Sequence, residues 1–135
     1  MSRIKGKNTK PEMLVRRYLY ARGFRYRVNV PDLPGKPDIV LQKYRTVIFI
    51  HGCFWHNHSC LGGRMPKSRE SFWREKFSRN QERDERVRQQ LRDMGWYTMV
   101  VWECQLKPSV REKTLLEVEY LLNKALLRLY QRGLS

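Results

Sequence analysis

The sequence predicts an α/β protein in which a mixed sheet is flanked by helices, in the order α-β-β-β-α-β-α. Three observations carry that prediction. Apolar residues recur at helical spacing in three segments, near positions 9–23, 68–94 and 111–130. Between these segments lie short apolar or alternating runs, of which Thr46-Val47-Ile48-Phe49-Ile50 is the strongest strand signal. Glycine and proline punctuate the junctions.

Taken in order, Thr9-Lys10-Pro11-Glu12 reads as a capping box, with Thr9 as N-cap and Glu12 at the third helical position. Leu14, Val15, Tyr18 and Leu19 follow on one face, and Gly23 supplies the stop. Phe24 to Val28 alternates apolar and basic like an edge strand. Pro31 to Pro37 is turn material, and Asp38-Ile39-Val40-Leu41 is a short buried-strand pattern that ends before Arg45. Gly62, Gly63 and Pro66 mark a loop. From about Ser68 to Met94 runs one charged helix whose apolar positions are Phe72, Trp73, Phe77, Val87, Leu91 and Met94, with Gly95 as its stop. Trp96 to Trp102 reads as a further strand. The tail, 111–132, is a leucine-rich amphipathic helix.

At 135 residues the chain is expected to be a single domain, 1–135, led by a basic arm over residues 1–10. No apolar run approaches a membrane span, and MSRIKGKNTK lacks the apolar segment of a signal peptide, so a cytoplasmic protein is expected. In that compartment the three cysteines suit metal ligation or free thiols better than disulfides. The formal charge is +15, and residues 1–27 carry nine basic side chains against Glu12 alone. A solvated surface would explain some of this charge. Together with the cluster described next, it points to nucleic acid.

Ten residues, His51-Gly52-Cys53-Phe54-Trp55-His56-Asn57-His58-Ser59-Cys60, hold all three histidines and two of the three cysteines. Cys53, His58 and Cys60, with Cys104 returning from beyond the last strand, form a ligand set for one closed, structural zinc site. The bland alternative makes Cys104 an ordinary buried thiol. Asp38 opens a strand next to the one that ends in His51, where a carboxylate can hold Mg2+ against a phosphate; alone, it would read as a turn residue. His51 and His56 remain once His58 is assigned to zinc, and either can take a proton from water or contact a phosphate. Asp84, mid-helix, can orient an imidazole or be a solvated charge. Phe54 and Trp55 stand between zinc ligands, where rigid aromatics can wedge between bases; Trp73 either joins them or packs in the core.

Four stretches, LPGKPDIV (33–40), FIHGCFWHNHSC (49–60), SFWREKFSRNQERD (71–84) and VVWEC (100–104), together resemble the very-short-patch repair (Vsr) DNA mismatch endonucleases. The resemblance covers about residues 1–105. It implies the restriction-endonuclease-like core, αβββαβ, followed here by a C-terminal helix. It also implies Mg2+-dependent nicking of double-stranded DNA 5′ of the thymine in T:G mismatches left by deamination of 5-methylcytosine, and a structural zinc. Carried over by residue, it makes Asp38 a Mg2+ ligand together with the backbone carbonyl of Ile50, and His56 the general base paired with Asp84. It places His51 and Asn80 near the scissile phosphate and makes Glu12 an active-site carboxylate, a role that competes with its capping-box reading. Cys53, His58, Cys60 and Cys104 fall on the zinc positions, and Phe54, Trp55 and Trp73 on the intercalating aromatics.

Two departures stand out. The second acidic residue and the lysine of the wider nuclease pattern are absent, since Val47 to Ile50 is wholly apolar, and histidines take over the role of the lysine in the Vsr variation. Ile50 stands where other members carry a threonine, which is harmless if only its carbonyl binds metal. The N-terminal arm is short, and its Lys5, Lys7 and Lys10 are the candidate phosphate contacts. The expected partners are mismatched duplex DNA (with nucleoid association during action), a mismatch-repair coupling protein and a cognate cytosine-5 methyltransferase; a monomer is expected. The rival readings are a same-fold nuclease for another distorted DNA and a non-catalytic, zinc-containing DNA-binding module.

Overall fold

The structure, a computed structural model, describes residues 10–52 and 70–132. Its elements are α1 (Lys10–Ala21), β1 (Ile39–Leu41), β2 (Thr46–His51), α2 (Glu70–Asp93), β3 (Tyr97–Trp102) and α3 (Arg111–Gln131). Short 3-10 turns follow β1 at Gln42–Tyr44 and β3 at Glu103–Leu106. The mixed sheet flanked by helices is the expected fold class.

β2 is the central strand. β1 pairs with it antiparallel, Ile39 opposite Ile48, and β3 pairs with it parallel, His51 opposite Trp102. Strand alternation sends its side chains to two apolar layers. Ile39, Leu41 and Ile48 pack with Val15 and Leu19 of α1 and with Leu115, Val118 and Leu122 of α3. Val40, Val47 and Phe49 pack on the other face with Leu33, Trp96 and Leu91 of α2. The first layer is pinned at its rim: the Tyr18 hydroxyl donates to Glu119 Oε1 at 2.7 Å, and Arg22 Nη2 donates to Glu119 Oε2 at 3.0 Å. These two donors, Tyr18 first, hold the Glu119 carboxyl below its usual range.

Both expected glycine stops are real. Gly23 and Gly95 each have φ +92°, and each is followed by a return bond, Phe24 N–H to Leu19 O and Trp96 N–H to Leu91 O, both 2.9 Å. This left-handed termination with a 6→1 bond favours glycine because it has no Cβ. The N-cap assigned to Thr9 lies outside the described residues.

Three details differ from expectation. Phe24–Val28 keeps its alternating burial but forms no ladder: Arg27 and Val40 make one isolated bridge, exchanging bonds of 2.8 and 2.9 Å. The neighbouring strand β1 has only three residues, and Asn29 turns left-handed at φ +56°, so pairing cannot propagate. Phe72 and Met94, expected at apolar positions of α2, are exposed. The inner stripe of α2 is Trp73, Phe77, Asn80, Asp84, Val87 and Leu91, a strict 4-3-4-3-4 spacing that leaves Phe72 and Met94 off its phase.

Candidate active site at the carboxyl end of the sheet

The topology gathers chemistry at one end. β2 and β3 run parallel, so their carboxyl ends coincide, and the antiparallel β1 brings its amino end to the same place. Asp38, His51 and the turn carrying Cys104 therefore share an edge. α2 must enter from that end, because its carboxyl terminus feeds β3 at the opposite one. Its amino-terminal half, with Asn80 and Asp84, thus belongs to the same region. Open α/β sheets place ligands at the carboxyl ends of their strands for this reason.

Asp38 sits one residue before β1. Its backbone N–H donates to Ile48 O at 3.1 Å, and its Oδ2 accepts from the Ile50 N–H at 2.6 Å. Oδ1 has no hydrogen-bond partner among the described residues. Ile48 and Ile50 present their backbone groups to the same side of β2, since N–H and C=O alternate along a strand. The Ile50 carbonyl therefore turns toward the edge that Asp38 occupies, beyond the last rung of β1. Half-buried, the carboxyl titrates at about 6 instead of 3.8. Desolvation is the main cause; the Ile50 N–H opposes it, Glu12 adds to it and Arg16 opposes it.

Glu12 is 4% exposed, ion-paired with Arg16 one helical turn on, and lines one cleft with Asp38. Asn29, Val30, Pro31, Lys36 and Pro37 complete the lining of this cleft, which holds ≈ 390 Å³. Asn29 and Lys36 are left-handed, at φ +56° and +50°. Non-glycine residues rarely accept that conformation, and such strain collects at functional sites. Gly35, at φ +73°, lies against Val87 of α2, and a Cβ there would collide with that side chain. The turn that presents Asp38 is thereby seated on α2.

His51 is buried at the end of β2, edge-on to Trp102 with ring centroids 5.1 Å apart and 5.9 Å from Phe49. Asn80 and Asp84 are half-buried on the inner stripe of α2, and Asn80 Oδ1 accepts from Arg83 at 3.1 Å. Trp73, also half-buried, stacks on Phe77 at 6.0 Å and meets Phe72 edge-on at 5.3 Å. Cys104 is half-buried in the 3-10 turn after β3, which Gln105 Oε1 ties back by accepting from the Trp102 N–H at 2.9 Å. Lys10 is exposed at the start of α1. Lys5, Lys7, Cys53, Phe54, Trp55, His56, His58 and Cys60 lie outside the described residues.

The structure thus brings Asp38, Glu12 and the Ile50 backbone together, and places His51, Asn80 and Asp84 at the same end. Sequence reading missed Arg16 as the partner of Glu12, although its i,i+4 spacing is a visible signal. It also missed Asn29 and Lys36, which no local pattern assigns to a cleft. For a hard cation the donors are suitable: an accessible carboxylate oxygen, a carbonyl aimed at the same edge, and a second carboxylate in the cleft. For zinc, Cys104 offers a soft sulfur at a strand end, and the other three donors lie outside the described residues.

Fold and cleft define a DNA-cleaving enzyme with an acidic site at the carboxyl end of a mixed sheet, in a chain of charge +15. The family described as "DNA mismatch endonuclease Vsr" matches residues 1–62. The chain is 55% identical over 107 residues to the type II nicking enzyme V.NmeAIP of Neisseria meningitidis serogroup A, covering 79% of this chain and 76% of that one. It is 47% identical over 106 residues to V.XorIIP of Xanthomonas oryzae pv. oryzae, covering 78% of each. Against the DNA mismatch endonuclease Vsr of Escherichia coli it is 43% identical over 107 residues, covering 79% of this chain and 69% of the relative. The chain belongs to the Vsr family of DNA mismatch endonucleases. Among the described residues, no helix is long and apolar enough to cross a membrane.

Proposed function

We propose that the chain nicks double-stranded DNA 5′ of the thymine in T:G mismatches, with Mg2+ as cofactor and a structural zinc. The observation that carries this reading is the half-buried Asp38 carboxylate, fixed by the Ile50 N–H beside a carbonyl and a second carboxylate. Asp38 and the Ile50 carbonyl hold the Mg2+ ion. When bound, the cation neutralises charge on the phosphate and lowers the pKa of water.

The chain's own residues do the rest. Asp38 ionises fully only above about pH 6, so the site gains its metal-binding charge near neutrality. Glu12 keeps the cleft acidic, with Arg16 compensating its burial. His56 takes the proton from the attacking water, and Asp84 holds that imidazole in position. His51 and Asn80 steady the scissile phosphate. Cys53, His58, Cys60 and Cys104 hold zinc and stiffen the segment that carries His56. Phe54 and Trp55, with Trp73 contributing from α2, wedge into the poorly stacked T:G step, while Lys5, Lys7 and Lys10 neutralise backbone phosphates. Acting in the cytoplasm, the enzyme serves DNA on which a cytosine-5 methyltransferase has created the base that deaminates to thymine.

A panel of labelled duplexes tests this reading: T:G, matched T:A and C:G, A:C, a flap and a junction, each with Mg2+ and with chelator. The expected result is a single nick 5′ of the T of T:G, dependent on Mg2+. Preferential cutting of the flap or junction would assign a different substrate, and cutting in chelator would remove the metal role.

A further inference from the structure

α3 has two apolar faces. Leu115, Val118, Leu122, Ala125 and Leu129 are buried against the sheet. On the opposite side, Leu116 (52% exposed), Tyr120 (62%), Leu127 (59%) and Tyr130 (57%) face solvent. With Asn123 they recur at a 4-3-4-3 spacing, the a/d pattern of a helix-pairing seam with one polar residue at its centre. Tyr120, Asn123, Lys124, Leu127, Arg128 and Gln131, all from α3, line a shallow groove of ≈ 390 Å³ on this surface. A side chain from a second helix is what such a groove accepts.

We propose that two copies of this chain associate through this seam, with their α3 helices antiparallel and Asn123 on the two-fold axis. The stripe is self-complementary about that residue. Leu116 and Tyr130 lie seven positions on either side, so each meets the other across the axis, and Tyr120 likewise meets Leu127. Asn123 meets its own copy, where its amide can both donate and accept.

Charge agrees with this register. Glu117 and Arg128 lie on the same flank of the stripe and nearly equidistant from Asn123. In an antiparallel pair like flanks meet, so each Glu117 faces the partner's Arg128, twice over. Lys124 is on that flank too, but its Nζ lies 5.9 Å from the Tyr120 ring centroid, drawn along its own helix. Glu119, on the other flank, is committed to Tyr18 and Arg22.

Five side chains from each copy bury roughly 1,000 Å² in total, which is small for a stable interface. Each copy also carries +15, so the two repel until salt screens them. The pair is therefore weak, concentration-dependent and strengthened by moderate salt. This replaces the monomer expected from sequence, and it is independent of the reading of the nicking site.

Sedimentation equilibrium of the full chain without DNA, from low to several hundred micromolar at moderate salt, tests the proposal. A reversible monomer–dimer equilibrium is expected. Leu127→Glu should leave a monomer at every concentration with an unchanged melting temperature. Glu117→Arg should weaken the dimer about tenfold or more, and adding Arg128→Glu should restore it. A wild-type chain that stays monomeric throughout overturns the proposal. A dimer untouched by Leu127→Glu overturns it as well, because the contact then lies elsewhere. If the charge reversal is not rescued by its complement, the antiparallel register is wrong.

Discussion

The two long helices break the apolar-inside, polar-outside pattern in opposite ways. The inner stripe of α2 is apolar at Trp73, Phe77, Val87 and Leu91 but polar at Asn80 and Asp84, where packing alone would select leucine. The inner stripe of α3 is unbroken, and its anomaly is on the outside, at Leu116, Tyr120, Leu127 and Tyr130. A polar pair inside costs stability and is explained by chemistry at the carboxyl end of the sheet. An apolar stripe outside costs solubility and is explained by something that covers it. Departures from patterning mark function, and their side of the helix indicates which kind.

The sharpest way to break the comparison is to mutate ordinary and anomalous positions in parallel. Leu91→Ala on α2 and Leu122→Ala on α3 remove fully buried side chains, and each should cost about 2–5 kcal/mol in chemical denaturation. Nicking by the fraction that remains folded should be little changed. Asp84→Leu should do the opposite. It completes the apolar stripe, so the melting temperature should not fall, while nicking should drop on the order of 10²-fold, the scale of a disabled general base. Should Asp84→Leu nick at the wild-type rate, Asp84 is a tolerated helix charge and the α2 half of the comparison fails.

A smaller effect concerns Asp38. Its carboxyl titrates at about 6 in the fold against 3.8 ordinarily, so the folded state holds its proton more tightly than the unfolded one. That group contributes stability in full below about pH 3.8 and loses the contribution as pH rises through 6. At pH 7, without divalent metal, Asp38→Asn should therefore stabilise the fold by about 1–2 kcal/mol, after discounting for partial exposure. The asparagine oxygen can still accept from the Ile50 N–H. Added Mg2+ should raise the melting temperature of the wild type and not that of the variant. Equal responses would place the metal elsewhere. The smallest effects belong to the outer face of α3, where Leu127→Glu should change monomer stability by less than about 0.5 kcal/mol.

Legibility in the sequence followed locality. The stops at Gly23 and Gly95, the run Thr46–Ile50 and the long charged helix were readable because each depends on neighbours within a turn or a strand. The edge strand at Phe24–Val28 was over-read, because its alternation is genuine but its partner β1 is only three residues long. The phase of α2 was also misjudged at Phe72 and Met94: a helix with so many charges gives two competing apolar phases, and only packing against Val47 and Phe49 selects one. Asp38 was found through its place before a strand beside His51. Its pairing with the Ile50 N–H and its shared cleft with Glu12 depend on tertiary contacts that no spacing encodes. The tail helix was read as simply amphipathic, since leucines on both sides of a helix look alike until one side is buried.

The central claim, that Asp38 at the carboxyl end of the sheet organises strand cleavage, is tested most directly by Asp38→Ala on a T:G duplex. Nicking in Mg2+ and equilibrium binding in chelator should be measured on the same preparation. The expected result is no detectable nick with mismatch binding retained within a few-fold, since the substitution removes a metal ligand and leaves the contacts to bases and phosphates. A variant that nicks at a rate near the wild type would contradict the claim.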